Sequence, residues 1–256
     1  MRMTSYVFNQ LRVYRYTTEK EVGRAAAQKV ALQINKTIEE QGEARIILAT
    51  GTSQFEFLAQ VQLLPIQWNR VTIFHLDEYV GLMREHPASF QNYLASRIIN
   101  RVQPQHVHYL NGNARSIEDE MNRYALLLNE KPIDIACVGI GENGHLAFND
   151  PGVADFNDPK EVKCVPLDLE CRQQQYNEGW FPSLESVPKE ALTLTVPMIM
   201  KAKYISCVVP HQRKAKAVFN TLQGAISEKC PASILRNHPN AVLYTDLDSA
   251  SLLNLT

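Results

Sequence analysis

The chain is poor in the features that mark a secreted, membrane-bound or nucleic-acid-binding protein. Its five cysteines (Cys137, Cys164, Cys171, Cys207 and Cys230) form no CxxC pair, and their odd number suits reduced thiols better than a disulfide framework. No apolar run approaches the roughly 20 residues that span a bilayer. The opening MRMTSYVFNQLRVYRY mixes Arg, Asn and Gln into its apolar residues, unlike a signal peptide. A formal net charge of -1 leaves no general basic surface for gripping nucleic acid. Repeats, low-complexity tracts and Gly/Ser linkers are also missing, so one domain over residues 1–256 is expected. What is present is ordinary globular material: 45% hydrophobic and 21% charged residues, enough for a real core. A cytoplasmic protein is the expectation.

Strand-like runs alternate with helix-like ones. Thr18 to Glu21 has the capping-box form T-x-x-E; Val22, Ala26, Val30 and Ile34 follow at i+4 spacing, and Gly42 is a natural stop. RIILAT (45–50), VTIFHL (71–76), IDIACVGI, YISCVV (204–209) and AVLYTD (241–246) read as buried strands. FEFLAQVQLL and HQRKAKAVFNTLQG read as helices, the second ending at Gly224. Strands separated by helices predict an α/β fold of three layers, with a mainly parallel, Rossmann-like central sheet and helices on both faces. Such sheets bind ligands in loops at the carboxyl ends of their strands. Three strands run directly into polar, glycine-bearing turns, so three loops share one edge.

One of these turns, Gly139-Ile140-Gly141-Glu142-Asn143-Gly144, fits G-x-G-x-x-G letter for letter, with Asp168 at a spacing suited to a ribose contact. A dinucleotide fingerprint needs a helix opening at its third glycine to hold the pyrophosphate. Here Pro151, Gly152 and Pro159 leave little room for one, and the motif lies mid-chain. The alternative is a tight turn that sets His145 beside Asn143 and near Asp150. Histidine moves protons readily near neutral pH, and a neighbouring amide or carboxylate fixes its tautomer. An ordinary strand-end histidine bonded to a carbonyl remains the plain reading of that residue alone.

The second loop, HLDEYVGL, brings Asp77 and Glu78 to the ligand edge, where a partly desolvated carboxylate suits a general base. As an isolated pair they read equally as a turn-forming Asp and a solvated Glu. The third, LATGTSQF, gathers the hydroxyls of Thr50, Thr52 and Ser53 and several backbone N–H groups around Gly51, an arrangement suited to phosphate. It lacks the G-K-[ST] ending of a nucleotide P-loop. Arg213, Lys214 and Lys216 begin a helix, where cations oppose the helix dipole unless an anion is close. His106 and His108 have a metal-like spacing but no evident third ligand.

With these loops together, the chain resembles the glucosamine-6-phosphate deaminase (glucosamine-6-phosphate isomerase) family. The likeness is carried by LATGTS, FHLDEYVGLMREHPASFQNYL, YLNGNA, VGIGENGHLAFNDPG, VPKEALTLTVP and HPNAVLY. Related 6-phosphogluconolactonases share the GxGxxGH turn but usually continue differently after the histidine. The resemblance implies a three-layer fold, a small-molecule sugar phosphate as partner, no cofactor and no metal; it leaves room for a homo-oligomer. It implies conversion of glucosamine 6-phosphate and water to fructose 6-phosphate and ammonia through an enediol-type intermediate. Asp77 would move a proton between C2 and C1, and His145 would assist ring opening, oriented by Asn143 and Asp150. Thr50, Gly51, Thr52, Ser53 and Lys214 would hold the phosphate. The family commonly supplies a phosphate-binding arginine before VPKEALT; here Glu178 or Gly179 stands at that place, so Arg172 or Arg213 would substitute, or the substrate differs. Galactosamine 6-phosphate deamination, lactone hydrolysis and non-catalytic sugar-phosphate sensing are the alternatives.

Overall fold

The computed structural model describes residues 3–254. Its eleven strands are β1 (Thr4–Phe8), β2 (Leu11–Arg15), β3 (Ala44–Leu48), β4 (Val71–His75), β5 (Asp77–Tyr79), β6 (His106–His108), β7 (Ile135–Val138), β8 (Val162–Pro166), β9 (Glu190–Leu194), β10 (Tyr204–Val209) and β11 (Ala241–Thr245). Eight form one sheet in the order β1-β2-β11-β10-β7-β3-β4-β6. Every neighbouring pair in it runs parallel except β1 with β2. The short inner strands are buried along their whole length because both faces are covered, which explains their continuous apolar runs.

The pleat divides these strands between two cores. Ile46, Leu48, Ile73, Cys137, Val208 and Tyr244 face the helices Glu19–Gln41 and Phe55–Val61. Ile47, Phe74, Ala136, Val138, Cys207 and Leu243 face the helices Ile117–Asn129 and Ala215–Gln223. Fully burying one such aliphatic or aromatic side chain contributes roughly 1.5–3 kcal/mol. The result is the expected three-layer α/β architecture. The first long helix begins and ends where the sequence indicated: Thr18 Oγ1 accepts the Glu21 N–H at 3.3 Å, and Gly42 closes it at φ 86°.

Two features go beyond the expectation. The N-terminal segment folds as an antiparallel hairpin whose β2 pairs with β11, although its mixed composition showed no clear strand signal. A second sheet, β5-β9-β8, is antiparallel and begins at Asp77, immediately past the carboxyl end of β4. A third apolar cluster, with Tyr79, Phe148, Val165, Phe181 and Ala191, packs beneath it.

The chain also reverses direction at β3. From β3 it proceeds to β4 and β6 on one side, then returns to place β7 and β10 on the other. The crevice above β3 and β7 is therefore the switch point at which open α/β sheets bind ligands.

Candidate active site

That crevice is occupied by a cleft with about 780 Å³ of empty space, counted out to its open mouth. Its walls bring together the loop after β3 (Thr50, Gly51, Thr52 and Ser53), Asp77, Gly139 to Gly141, His145, and Lys214 beyond β10. Residues scattered over more than half the chain meet because the parallel strands carrying them end on the same edge.

Asp77 stands at one wall. It is 7% exposed and belongs to β5, where it pairs with Thr193. Burial, reinforced by the adjacent Glu78 charge, pushes its carboxyl well above the usual range. Glu78 points elsewhere and is fully buried. It accepts the N–H groups of Tyr79, Phe90 and Gln91 and the Ser89 hydroxyl, at 2.9–3.2 Å. It thus holds the start of the helix Phe90–Leu94 against β5, fixing the strand that carries Asp77.

The glycine turn lines the same cleft. No dinucleotide-type helix follows it: residues 139–161 stay irregular up to β8, apart from a single bridge between Leu146 and Asn149. Asp168, at the spacing of a ribose ligand, instead caps the helix Leu169–Asn177 by accepting the Cys171 N–H at 2.7 Å. The turn closes on itself, with the Gly141 N–H donating to the His145 carbonyl at 3.0 Å. The His145 ring lies so close over Gly141 that a Cβ there would fall 2.1–2.3 Å from three ring atoms. Only glycine admits that approach.

Behind the ring, His145 Nδ1 is 2.8 Å from Asp150 Oδ1, and Asp150 is almost wholly buried. Asn143 bridges the two: its Nδ2 donates to Asp150 Oδ1 at 2.8 Å and its Oδ1 accepts the His145 N–H at 3.1 Å. Burial alone would raise the Asp150 carboxyl. The His145 charge and the hydrogen bonds from His145, Asn143 and Cys171 outweigh it and hold the group below its ordinary value. A carboxylate at Nδ1 assigns the Nδ1–H tautomer and leaves Nε2 to act on a ligand. Ala147, two residues on, has φ 52°, an uncommon conformation for a residue with a side chain, and it too lines the cleft.

The other end is built for an anion. Gly51 (φ 93°) turns the chain from β3 into the 3₁₀ turn Thr52–Gln54 and the helix beyond. Tyr93 Oη donates to the Gly51 carbonyl at 2.7 Å and tethers that loop, while Gln54 Nε2 reaches the Val208 carbonyl at 3.3 Å. Lys214 is only 3% exposed, and burial draws its amine down to about 8 although the Glu178 charge opposes the fall. Arg213 lies beside it with Nη2 on the Thr52 hydroxyl and Nη1 3.1 Å from Glu178 Oε1. Arg172 is not brought to the cleft: its Nη2 donates to the Leu184 carbonyl at 2.7 Å.

Thr50, Gly51, Thr52, Ser53, Asp77, His145 and Lys214 therefore share one cleft, with Asn143 and Asp150 supporting His145 from behind. Glu178, Tyr93, Phe90, Phe148 and Trp180 also line the walls and carried no functional signal in the sequence apart from the displaced-arginine position at Glu178. Trp180 stands across from Tyr93 and donates its Nε1–H to Glu178 at 3.2 Å. His106 and His108 stack on the edge strand β6. Among the described residues no group of three or more His, Cys, Asp or Glu side chains is placed to hold a metal ion, and no helix is long and apolar enough to cross a membrane.

The chain is similar to known proteins over most of its length. A glucosamine-6-phosphate deaminase of Streptococcus sanguinis (strain SK36) is 36% identical over 226 residues, covering 88% of this chain and 94% of that protein. A glucosamine-6-phosphate deaminase of Bacillus thuringiensis (strain Al Hakam) is 35% identical over 219 residues, covering 86% of this chain and 82% of that protein. The solved structure of a monomeric glucosamine-6-phosphate deaminase superposes with a TM-score of 0.86 at 34% identity, over 94% of this chain and 99% of that one. A 6-phosphogluconolactonase of Shewanella baltica shares the fold (TM-score 0.75, 17% identity, 96% of this chain and 100% of that one). The profile of the glucosamine-6-phosphate isomerases/6-phosphogluconolactonase family matches residues 17–244, and the chain belongs to that family.

Proposed function

We propose that this protein is a glucosamine-6-phosphate deaminase that converts glucosamine 6-phosphate and water to fructose 6-phosphate and ammonia. The observation that carries the reading is that one cleft is lined by a desolvated carboxyl, Asp77, by His145 of the His145–Asp150 pair, and by Lys214 with the Thr50–Ser53 loop, which suit phosphate. The near-full-length likeness to proteins named for that reaction supports it.

The chemistry follows from those positions. Thr50, Gly51, Thr52, Ser53 and Lys214 hold the phosphate, and binding this non-reacting group orients the sugar carbons. His145 Nε2 relays the proton from the anomeric hydroxyl to the ring oxygen, which opens the ring and exposes the C1 aldehyde. Asp150 balances the charge that His145 carries in passing, while Asn143 fixes them both. Asp77, ionised, removes the C2 proton; that electron pair forms the C1–C2 double bond while the aldehyde π pair moves to O1, which takes a proton from solvent, giving an enediol-type intermediate with nitrogen at C2. Asp77 returns the proton to C1, giving the C2 imine. Water adds at C2 and ammonia leaves, producing the ketose. Burial of Asp77 suits this cycle, because a carboxyl of raised pKa is a stronger base once ionised.

The reduced thiols and ordinary composition support a cytoplasmic setting. The test is ammonium release from glucosamine 6-phosphate, with galactosamine 6-phosphate and 6-phosphogluconolactone in parallel. Release from the gluco sugar is expected. Release from the galacto sugar alone would move the assignment to the epimer, and lactone hydrolysis without ammonium release would move it to the hydrolase branch.

A further inference from the structure

The anion end of the cleft contains a carboxylate. Glu178 closes the helix Leu169–Asn177, and its side chain is 5% exposed yet lines the same cleft as Lys214 and Thr50 to Ser53. It is not a loose surface acid. Oε1 lies 3.1 Å from Arg213 Nη1 and accepts the Gln174 Nε2–H at 3.0 Å, and Oε2 accepts the Trp180 Nε1–H at 3.2 Å. Three donors, one of them a guanidinium, fix its carboxyl in place. Both terminal nitrogens of Arg213 are engaged: Glu178 and, at 3.6 Å, Glu142 lie on Nη1, and the Thr52 hydroxyl accepts from Nη2. Of the two cations at this end, one is already neutralised from within. Among the described residues, no carboxylate lies within ion-pair distance of the Lys214 amine.

We propose that Glu178 is an affinity- and specificity-setting residue, a built-in competitor that occupies Arg213 in the empty cleft. An incoming phosphate meets Lys214, the loop hydroxyls and the backbone N–H groups without having to break an ion pair. To use Arg213 it must displace Glu178 or share the guanidinium with it. The affinity of the free protein for phosphate is thus lowered by the fraction of molecules in which Glu178 has let go, and like charge in the same wall disfavours a dianion. This inference rests on the phosphate placement proposed above. It adds that the substrate range is set at Glu178, and that the cleft favours ligands whose anionic end bears less charge.

The test is a double-mutant cycle read by binding of inorganic phosphate, which needs no turnover. By calorimetry, E178Q is expected to tighten phosphate at least fivefold. R213M should weaken phosphate far more in the E178Q background than in the parent, because only there is the guanidinium free. If the parent releases ammonium, its KM for glucosamine 6-phosphate should fall in E178Q by more than kcat changes. A merely structural role for Glu178 predicts weaker binding and never a gain. Unchanged or weaker phosphate binding by a folded E178Q overturns the proposal. So does an equal loss from R213M in both backgrounds, and if E178Q does not fold, a loss of tenfold or more from R213M in the parent does so alone. Absence of ammonium release from any amino-sugar phosphate would refute the deaminase reading and leave the phosphate result standing.

Discussion

Gly141→Ala isolates the placement of His145 from every other property of the site. A Cβ at that position would sit 2.1 Å from Cε1, 2.2 Å from Nε2 and 2.3 Å from Nδ1 of the His145 ring, where ordinary contact begins at 3.4 Å. The ring must therefore retreat by more than about 1 Å, and displacements of that size in a reacting group cost roughly 10²-fold in rate. Retreat also strains the 2.8 Å approach to Asp150, whose position is fixed by Asn143. The full value of general acid–base assistance, roughly 10²–10⁴-fold, bounds the loss from above. Gly141 does not need a left-handed backbone, so the added methyl acts by steric displacement of the ring. The assay is kcat/KM for ammonium release alongside the melting temperature, with Gly152→Ala as a comparison. Gly152 has φ 92° and no atom within 4 Å of its Cβ position, so that variant carries backbone strain without touching His145. A G141A enzyme retaining more than a third of the parental kcat/KM would refute the claim that the turn exists to seat this ring.

Asp77→Asn should lower ammonium release by at least about 10²-fold and yet raise the melting temperature. Because the folded carboxyl titrates above its unfolded value near 3.8, ionisation penalises the fold from that pH upward, so the gain should be present at pH 7 and vanish towards pH 4. An unchanged or lower melting temperature at pH 7 would contradict the assigned shift. Glu78→Ala removes the acceptor of four donors in a fully buried setting and should destabilise the protein by about 3 kcal/mol or more, measured by urea unfolding. A loss below about 1 kcal/mol would mean that water replaces the carboxylate. Lys214 is charged below about 8, so KM for the sugar phosphate should rise as the pH passes upward through that value. In Lys214→Met, KM should be high throughout and this step of the pH profile absent; its persistence would assign the titration elsewhere.

What could be read from the chain and what could not divide along a physical line. β3, β4, β7, β10 and β11 lie where their apolar runs placed them, and the boundaries of the helix Glu19–Gln41 follow from Thr18 and Gly42, because both signals act over a few neighbouring residues. The loops at strand ends were legible for the same reason, since polar residues and glycine gather wherever a buried strand must turn. The sheet β5-β9-β8 was not, because Asp77 pairs with Thr193 and no local period announces a partner more than a hundred residues away. Glu78 read as solvated when taken with its neighbours. It is buried because the helix start 11 and more residues downstream offers it an N–H cluster. Arg213 and Lys214, adjacent and alike in sequence, part in the same way: one is buried at the cleft wall, and the other is bound by a carboxylate 35 residues earlier. The kinds of chemistry available to the cleft are thus written locally, in HLDEY, GENGH and ATGTS. The charge that each group carries into the reaction depends on which distant side chain neutralises it, and only the packed sheet decides that. Sequences with the same motifs can therefore differ in phosphate affinity through one position outside all of them, and Glu178 is that position here.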